Sequence, residues 1–281
     1  MHGTLFVVAT PIGNLEDFTF RGVRTLREVD LIAAEDTRRT SKLLAHYDIQ
    51  KPLVSLREHN ESRETDRLLR RLAGGESIAL VSDAGTPVIA DPGAGLVAAA
   101  RHAGIRIVPI PGASAVATAL SGSGLPGDQF LFLGFPPTSG SARDRWFETV
   151  AASPRTVVFY EAPHRIDKTM GELAEYLVDR PTIICRELTK IHEELVEWPS
   201  ESSLKAQGEF AVVVGPGAEA EQAELDPSIV VEQFGQITYL TSFSEQAVEN
   251  MLAAHYSTNP VRIRKLLKKG RILLKRAADN L

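Results

Sequence analysis

The densest group of chemistry-bearing side chains follows the apolar run at 78–81, where Ser82, Asp83, Thr86 and Asp91 crowd into ten positions. Gly85 permits positive φ and close backbone approach, while Pro87 and Pro92 stiffen the turn. Carboxylates and hydroxyls of this kind suit a ribose and a cationic group better than a phosphate, which needs converging N–H groups and positive charge. Four further clusters could move protons or hold anions: Glu35-Asp36-Arg38, Glu58-His59-Glu61, Glu161-His164-Arg165 and Arg186-Glu187-Lys190. Each also has a structural reading. Glu35 and Asp36 are placed to cap a helix, and Glu61, Arg63, Glu64 and Arg67 fall at the spacing of a solvated helical face. His59 and His164 can serve as hydrogen-bonded structural histidines.

These groups need a scaffold, and the first half of the chain alternates strand-like and helix-like signals. Strands are expected at 5–9, 30–34, 52–56, 78–81 and 105–110. Helices are expected at 20–29 with Thr19 as N-cap, 40–46, 61–73 and 95–103. Such alternation argues for a mostly parallel sheet with helices on both faces. Residues 111–114 form the joint to a second half, with helices at 115–120, 143–150 and 172–177 and strands at 130–135, 156–160, 181–187 and 210–214. The expected architecture is α/β: a parallel-sheet domain at 1–112, a second α/β domain at 113–217, a linker at 218–243 and a basic helical tail at 244–281. Loops at 10–17, 35–39, 82–93, 111–114, 161–165 and 186–194 all follow expected strands, the edge where open sheets bind ligands, so a shared cleft is expected.

Composition excludes several classes. With 43% apolar and 24% charged residues, the chain can bury a core without metals or disulfides. Cys185 is the lone cysteine and lies in an apolar run, which fits core packing in a reducing compartment. The start lacks a basic lead, no run is long enough for a membrane span, and the expected location is cytoplasmic. No metal-ligand cluster or P-loop pattern is present. The one G-x-G-x-x-G match, at 122–127, follows a helix rather than a strand and contains Pro126, so it is not a dinucleotide fingerprint. The formal charge of −5 conceals an asymmetry. From 244 to the end, eight Lys or Arg oppose Glu245, Glu249 and Asp279, which leaves the rest of the chain near −10. Arg264, Lys268, Arg271 and Lys275 share one helical side, and with Arg262, Lys265, Lys269 and Arg276 they could track a polyanion.

Five ordered motifs, ATPIGNL at 9–15, AEDTR at 34–38, SDAGTP at 82–87, YEAPHR at 160–165 and RELTK at 186–190, resemble the ribosomal RNA branch of the tetrapyrrole methylase family. The resemblance runs from about 5 to 215. It implies S-adenosylmethionine bound in a cleft between two α/β domains, usually in a homodimer, and 2′-O-methylation of a cytidine in small-subunit ribosomal RNA. Family contacts to the cofactor would then fall on Pro11, Asp83, Ala84, Gly85, Thr86, Val88, Ile89, Ala113 and Ser114, with backbone near Glu161 and Glu187. The chain departs from the pattern at Ala90, where a serine is expected. For the chemical step, placement on strand-end loops points to a carboxylate such as Glu35 or Glu161, or His59, to accept a proton. Arg38, Arg165 or Arg186 would fix a phosphate or oxyanion. Two alternatives stay open: a small-molecule methyltransferase of the same fold acting on a tetrapyrrole, and a ribosome-binding protein without catalysis.

Overall fold

The computed structural model describes residues 2–177, 180–199, 206–217, 226–256, 263–264 and 266–272. They form two compact units, divided at Gly217 and Ala218.

The first unit begins with β1 (Thr4–Val8), α1 (Phe20–Glu28), β2 (Leu31–Ala34), α2 (Thr37–His46), β3 (Leu53–Ser55), α3 (Glu61–Ala73), β4 (Ile78–Val81), α4 (Ala94–His102) and β5 (Arg106–Ile110). All four strand pairings are parallel, in the order β3-β2-β4-β1-β5. Every residue of β2 and β4 is buried, as a sheet covered on both faces requires. Alternate residues separate the two cores. Leu31, Ala33, Ile78 and Leu80 pack with Leu68 and Leu72 of α3 and Leu96 of α4. Ile32, Ala34, Ala79 and Val81 pack on the other face with Leu26 of α1 and Leu44 of α2. Thr19 caps α1 as expected, its hydroxyl accepting from Gly22 N at 3.0 Å.

The chain continues through α5 (Ala115–Ser123), β6 (Phe130–Phe132), α6 (Ser141–Ala152), β7 (Thr156–Glu161), α7 (Ile166–Ala174), β8 (Thr182–Arg186), β9 (Glu194–Trp198) and β10 (Phe210–Val214). The second sheet runs β6-β7-β10-β8-β9 and is antiparallel except for β6 with β7. Helices α6 and α7 cover one face through Trp146, Phe147, Ile166 and Met170. On the other face, Val116 and Ala119 of α5 pack on Val158, Cys185 and Val213 together with Ile12 from the loop after β1. Cys185 is therefore core, as expected.

Three features differ from the sequence expectation. Helix α7 starts at Ile166 rather than 172, because Ile166, Thr169, Met170 and Leu173 make its buried stripe. The strand β9 takes part of the expected loop 186–194, pairing along β8 from Glu194 to Trp198. Finally, the expected linker 218–243 contains α8 (Pro227–Leu240). Asp226 caps it, Pro227 opens it, and Val230 and Phe234 bury against Val248 and Leu252 of α9 (Glu245–His255) in the second unit. Within that unit two of the expected anion-tracking residues are engaged internally: Arg264 Nε donates to Glu249 Oε2 at 2.5 Å, and Arg271 stacks over Phe234 at 5.5 Å. Arg262, Lys265, Lys275 and Arg276 lie outside the described residues. No helix among the described residues is long and apolar enough to cross a membrane.

Candidate functional site

In the order β3-β2-β4-β1-β5, the chain leaves β1 towards one side of the sheet and β4 towards the other. A crevice opens between strand ends where connections diverge in this way. The two loops are clipped across it: Thr10 N donates to Gly85 O at 2.9 Å, and Gly85 N donates to Thr10 O at 3.0 Å. Gly85 has φ +79°, and a Cβ there would stand 3.3 Å from Ile12 Cγ2, so both conformation and space call for glycine. Thr86 Oγ1 donates to Ala113 O at 3.0 Å, tying in the loop after β5. Gly13 packs against the loop after β8, where a Cβ would come within 2.5 Å of Lys190 Cγ.

Backbone strain collects on the same loops. Of the five non-glycine residues with positive φ among the described residues, Val88 (77°) and Ala90 (63°) follow β4, while Glu187 (50°) and Thr189 (68°) follow β8. Conformations of this kind persist only where surrounding contacts enforce them, and they concentrate at functional sites.

The interlocked loops enclose a cavity of about 350 Å³ between the two sheets of the first unit. Ile12, Ala84, Gly85, Thr86 and Ile89 line one side. Ser114, Phe135, Tyr160, Leu188 and the chain from Gly208 to Ala211 line the other. Among the described residues three carboxylates belong to the lining, Asp91, Glu161 and Glu209, and no Lys or Arg does. That charge pattern suits a cation. The N–H groups of Ala84, Thr86 and Ser114 are among several in the lining that donate to no acceptor among the described residues.

The three carboxylates are not equivalent. Glu161 is fully buried and saturated: its Oε1 accepts from Ala162 N at 2.8 Å and pairs with Arg165 Nε at 3.2 Å, and its Oε2 accepts from Thr169 Oγ1 at 2.5 Å. Arg143 Nη2 donates to the same Thr169 hydroxyl at 2.9 Å. Glu209 pairs with Lys190 Nζ at 3.1 Å. Asp91 is half-buried and has no cationic partner among the described residues. Burial first, then the negative charges of Glu35 and Asp83, push its carboxyl up to about 6, against an opposing hydrogen bond from Ser82. Burial and the facing Asp91 likewise push the Tyr160 phenol up to about 12. Glu35 is raised by burial and by Asp83.

Six of the sequence-predicted residues line the cavity: Ala84, Gly85, Thr86, Ile89, Ser114 and Glu161. Pro11, Asp83, Val88, Ala113 and Glu187 sit beside lining residues and shape the loops instead. Asp83 Oδ1 accepts from Asp36 N at 2.8 Å, and Glu187 Oε1 accepts from Glu209 N at 2.9 Å while Lys190 holds its carboxyl below the usual range. The polar candidates for the chemical step are placed elsewhere or are already engaged. Arg165 donates to Pro136 O at 2.6 Å besides its pairing with Glu161. Arg186, only 5% exposed, donates to Gln207 O at 2.7 Å and pairs with Glu194. Arg38 is folded onto Asp36, the N-cap of α2, and projects into solvent outside the cavity. His59 lies exposed on the turn Glu58–Asn60. Glu61, expected on a solvated face, accepts from Gly93 N and Gly95 N at 3.2 and 2.7 Å and so fixes the end of the 82–93 loop.

Sequence reasoning missed Tyr160, Phe135 and residues 208–211 as lining. The last group lies at the start of β10. Because β10 runs antiparallel to β7 and β8, its amino end meets their carboxyl edge.

Residues 4–203 match the family model of the Tetrapyrrole (Corrin/Porphyrin) Methylases. Ribosomal RNA small subunit methyltransferase I of Halalkalibacterium halodurans is 49% identical over 232 residues, covering 79% of this chain and 80% of that protein. The protein of the same name from Pseudomonas aeruginosa is 46% identical over 231 residues, covering 79% and 82%. Among solved structures, a diphthine synthase shares the fold with a TM-score of 0.59 at 14% identity, covering 76% of this chain and 90% of its own. Uroporphyrin III C-methyl transferase from Thermus thermophilus does so with a TM-score of 0.53 at 18% identity, covering 76% and 97%. The chain belongs to the tetrapyrrole methylase family and, within it, groups with the relatives named ribosomal RNA small subunit methyltransferase I.

Proposed function

We propose that this protein methylates small-subunit ribosomal RNA, using S-adenosylmethionine as donor and the 2′-oxygen of a cytidine ribose as acceptor. The observation that carries the reading is the cavity, whose charged lining among the described residues is entirely carboxylate. A sulfonium and an α-ammonium are cations, so the site fits them without a positive side chain in the way. The unpaired N–H groups of Ala84, Thr86 and Ser114 offer hydrogen bonds to the donor's polar oxygens and ring nitrogens. Apolar Ile12, Ile89 and Leu188 suit its purine. When bound, the donor supplies a methyl group activated by the positive sulfur.

The chain's own residues then have two tasks. The interlocked loops hold the acceptor ribose in line, a proximity effect worth several powers of ten in rate. Asp91 takes the proton from the 2′-hydroxyl. It is the lining carboxylate with no cation to neutralise it among the described residues, and an elevated proton affinity makes it a better base than an ordinary aspartate. Glu161 positions the wall of the cavity through Thr169 and Arg165. The RNA acceptor is favoured by the names of relatives that are 46–49% identical along most of both chains.

The test is incubation of unmethylated small ribosomal subunits with the protein and S-[methyl-³H]adenosylmethionine, followed by nuclease mapping. Label on a cytidine 2′-oxygen is expected. Failure to take up the donor, or label on a base atom, would overturn the reading.

A further inference from the structure

Helices α1 and α2 lie side by side on one face of the first sheet. Arg27 Nη2 donates to Tyr47 O at 2.8 Å, and Phe18 meets the Tyr47 ring edge-on at 5.3 Å. Their inner sides bury Leu26 and Leu44. Their outer sides carry Arg21, Arg24, Arg27, Arg38, Arg39 and Lys42, with Glu28 the one acid within the two helices; Arg38 and Arg39 pair with Asp36 and Asp83 beyond them. Two neighbouring helices thus hold a formal +5 in a chain whose total is −5. Segregation on that scale is an electrostatic footprint rather than the mixed charge of an ordinary solvated surface.

Three further observations give the patch a direction. Both helices begin at the carboxyl edge of the parallel sheet, the edge on which the cavity opens: α1 follows the loop clipped to Gly85, and Asp36 at the head of α2 donates its N–H to Asp83. Phe20, the first residue of α1, is 98% exposed and has no protein surface to cover it. Among the described residues, Arg21 and Lys42 form no ion pair, and Arg24 reaches Glu28 only at 4.0 Å. Cations beside an uncovered aromatic ring form the combination that binds single-stranded nucleic acid, by charge to phosphates and stacking to bases.

We infer that the outward face of α1 and α2 is the docking surface for the single-stranded RNA that flanks the methylated nucleotide. Arg21, Arg24, Arg27 and Lys42 contact successive phosphates, and Phe20 stacks on a base at the cavity rim. This rests on the proposed RNA substrate and supplies what the acidic remainder of the body lacks, an attractive approach for a polyanion.

The test compares the intact protein with Phe20→Ala and with the double variant Arg21→Ala/Lys42→Ala. The probes are a 20-nucleotide single-stranded RNA of small-subunit sequence and unmethylated small subunits. None of the three side chains lines the cavity, so calorimetric uptake of S-adenosylmethionine stays unchanged. Removing two phosphate contacts should flatten the slope of log affinity against log salt by about 1.4. Loss of stacking should weaken RNA binding about 5- to 150-fold, with recovery in Phe20→Trp. If the intact protein methylates subunits and both variants match it in RNA affinity and salt slope, the docking inference falls while the functional proposal stands. If the intact protein methylates no RNA, both fall. A change in oligomeric state by sedimentation with RNA affinity unaltered would make the face a contact between copies and would also overturn the inference.

Discussion

Replacing Asp91 by Asn should stabilise the protein while disabling it. The unfolded chain ionises this carboxyl near 3.8, whereas in the fold burial and the charges of Glu35 and Asp83 raise it to about 6. Between those values a rise in pH ionises the unfolded state first, so Asp91 removes stability as pH climbs and the loss is complete above about 6. Fully expressed, the displacement corresponds to roughly 3 kcal/mol. The group is only half-buried, and screening by water on its open side leaves ~1–2 kcal/mol. The Asn variant is close to isosteric and carries no charge against Glu35 or Asp83. Urea denaturation should therefore show it more stable than the parent by ~1 kcal/mol at pH 8, with most of the gain gone at pH 4. Comparing the two pH values cancels any packing difference between the side chains. In parallel, kcat should fall by about 100-fold or more and lose its acidic limb, with a smaller effect on donor affinity. A stability difference independent of pH would refute the electrostatic account, and a variant with undiminished kcat would refute the role of Asp91 as base.

Other expectations follow from individual contacts. Gly85→Ala forces a side chain into φ +79° at 3.3 Å from Ile12, so it should cost about 1–3 kcal/mol in denaturation and weaken donor binding in calorimetry. Thr169→Val removes the hydroxyl between Glu161 and Arg143 and should lower stability by about 2–3 kcal/mol, with donor affinity at low temperature retained better than Tm. Cys185, its thiol pushed up to about 12 by burial, should resist iodoacetamide at neutral pH in the folded protein and react on addition of denaturant.

The parallel half of the fold was legible because each of its elements carries its own signal. Buried runs such as Ile78–Val81 have no polar interruption, and Thr19 caps a helix whose apolar spacing follows at once. The later elements signal less plainly. In β9, Glu194, Leu195, Val196, Glu197 and Trp198 alternate over only five residues beside a polar loop. A short alternation of that kind becomes a strand only because β8 offers an edge to pair with. Helix α8 did announce itself, through Asp226-Pro227 and the spacing of Val230, Phe234 and Ile237. The apolar-poor run before it drew the linker boundary too far along the chain.

The site was half legible, and the division has a physical cause. Backbone-shaping residues report through type alone: Gly85 and the prolines can be placed in a ligand loop without knowing what faces them. Ionisable residues cannot, since their role depends on whether neighbours saturate them. Glu161 and Asp91 are both carboxylates on strand-end loops and both line the cavity. Ala162, Arg165 and Thr169 satisfy the first, which converts it into part of the frame. Burial and facing acids, with no cation among the described residues to answer them, raise the proton affinity of the second into a chemically useful range. The motif YEAPHR contains most of the partners of its own glutamate, Arg165 among them, whereas the acids that act on Asp91, Glu35 and Asp83, come from the loops after β2 and β4. Charge clusters close in sequence thus tend to extinguish one another, and the residue proposed as the base, Asp91, is one whose sequence neighbours supply no counter-charge.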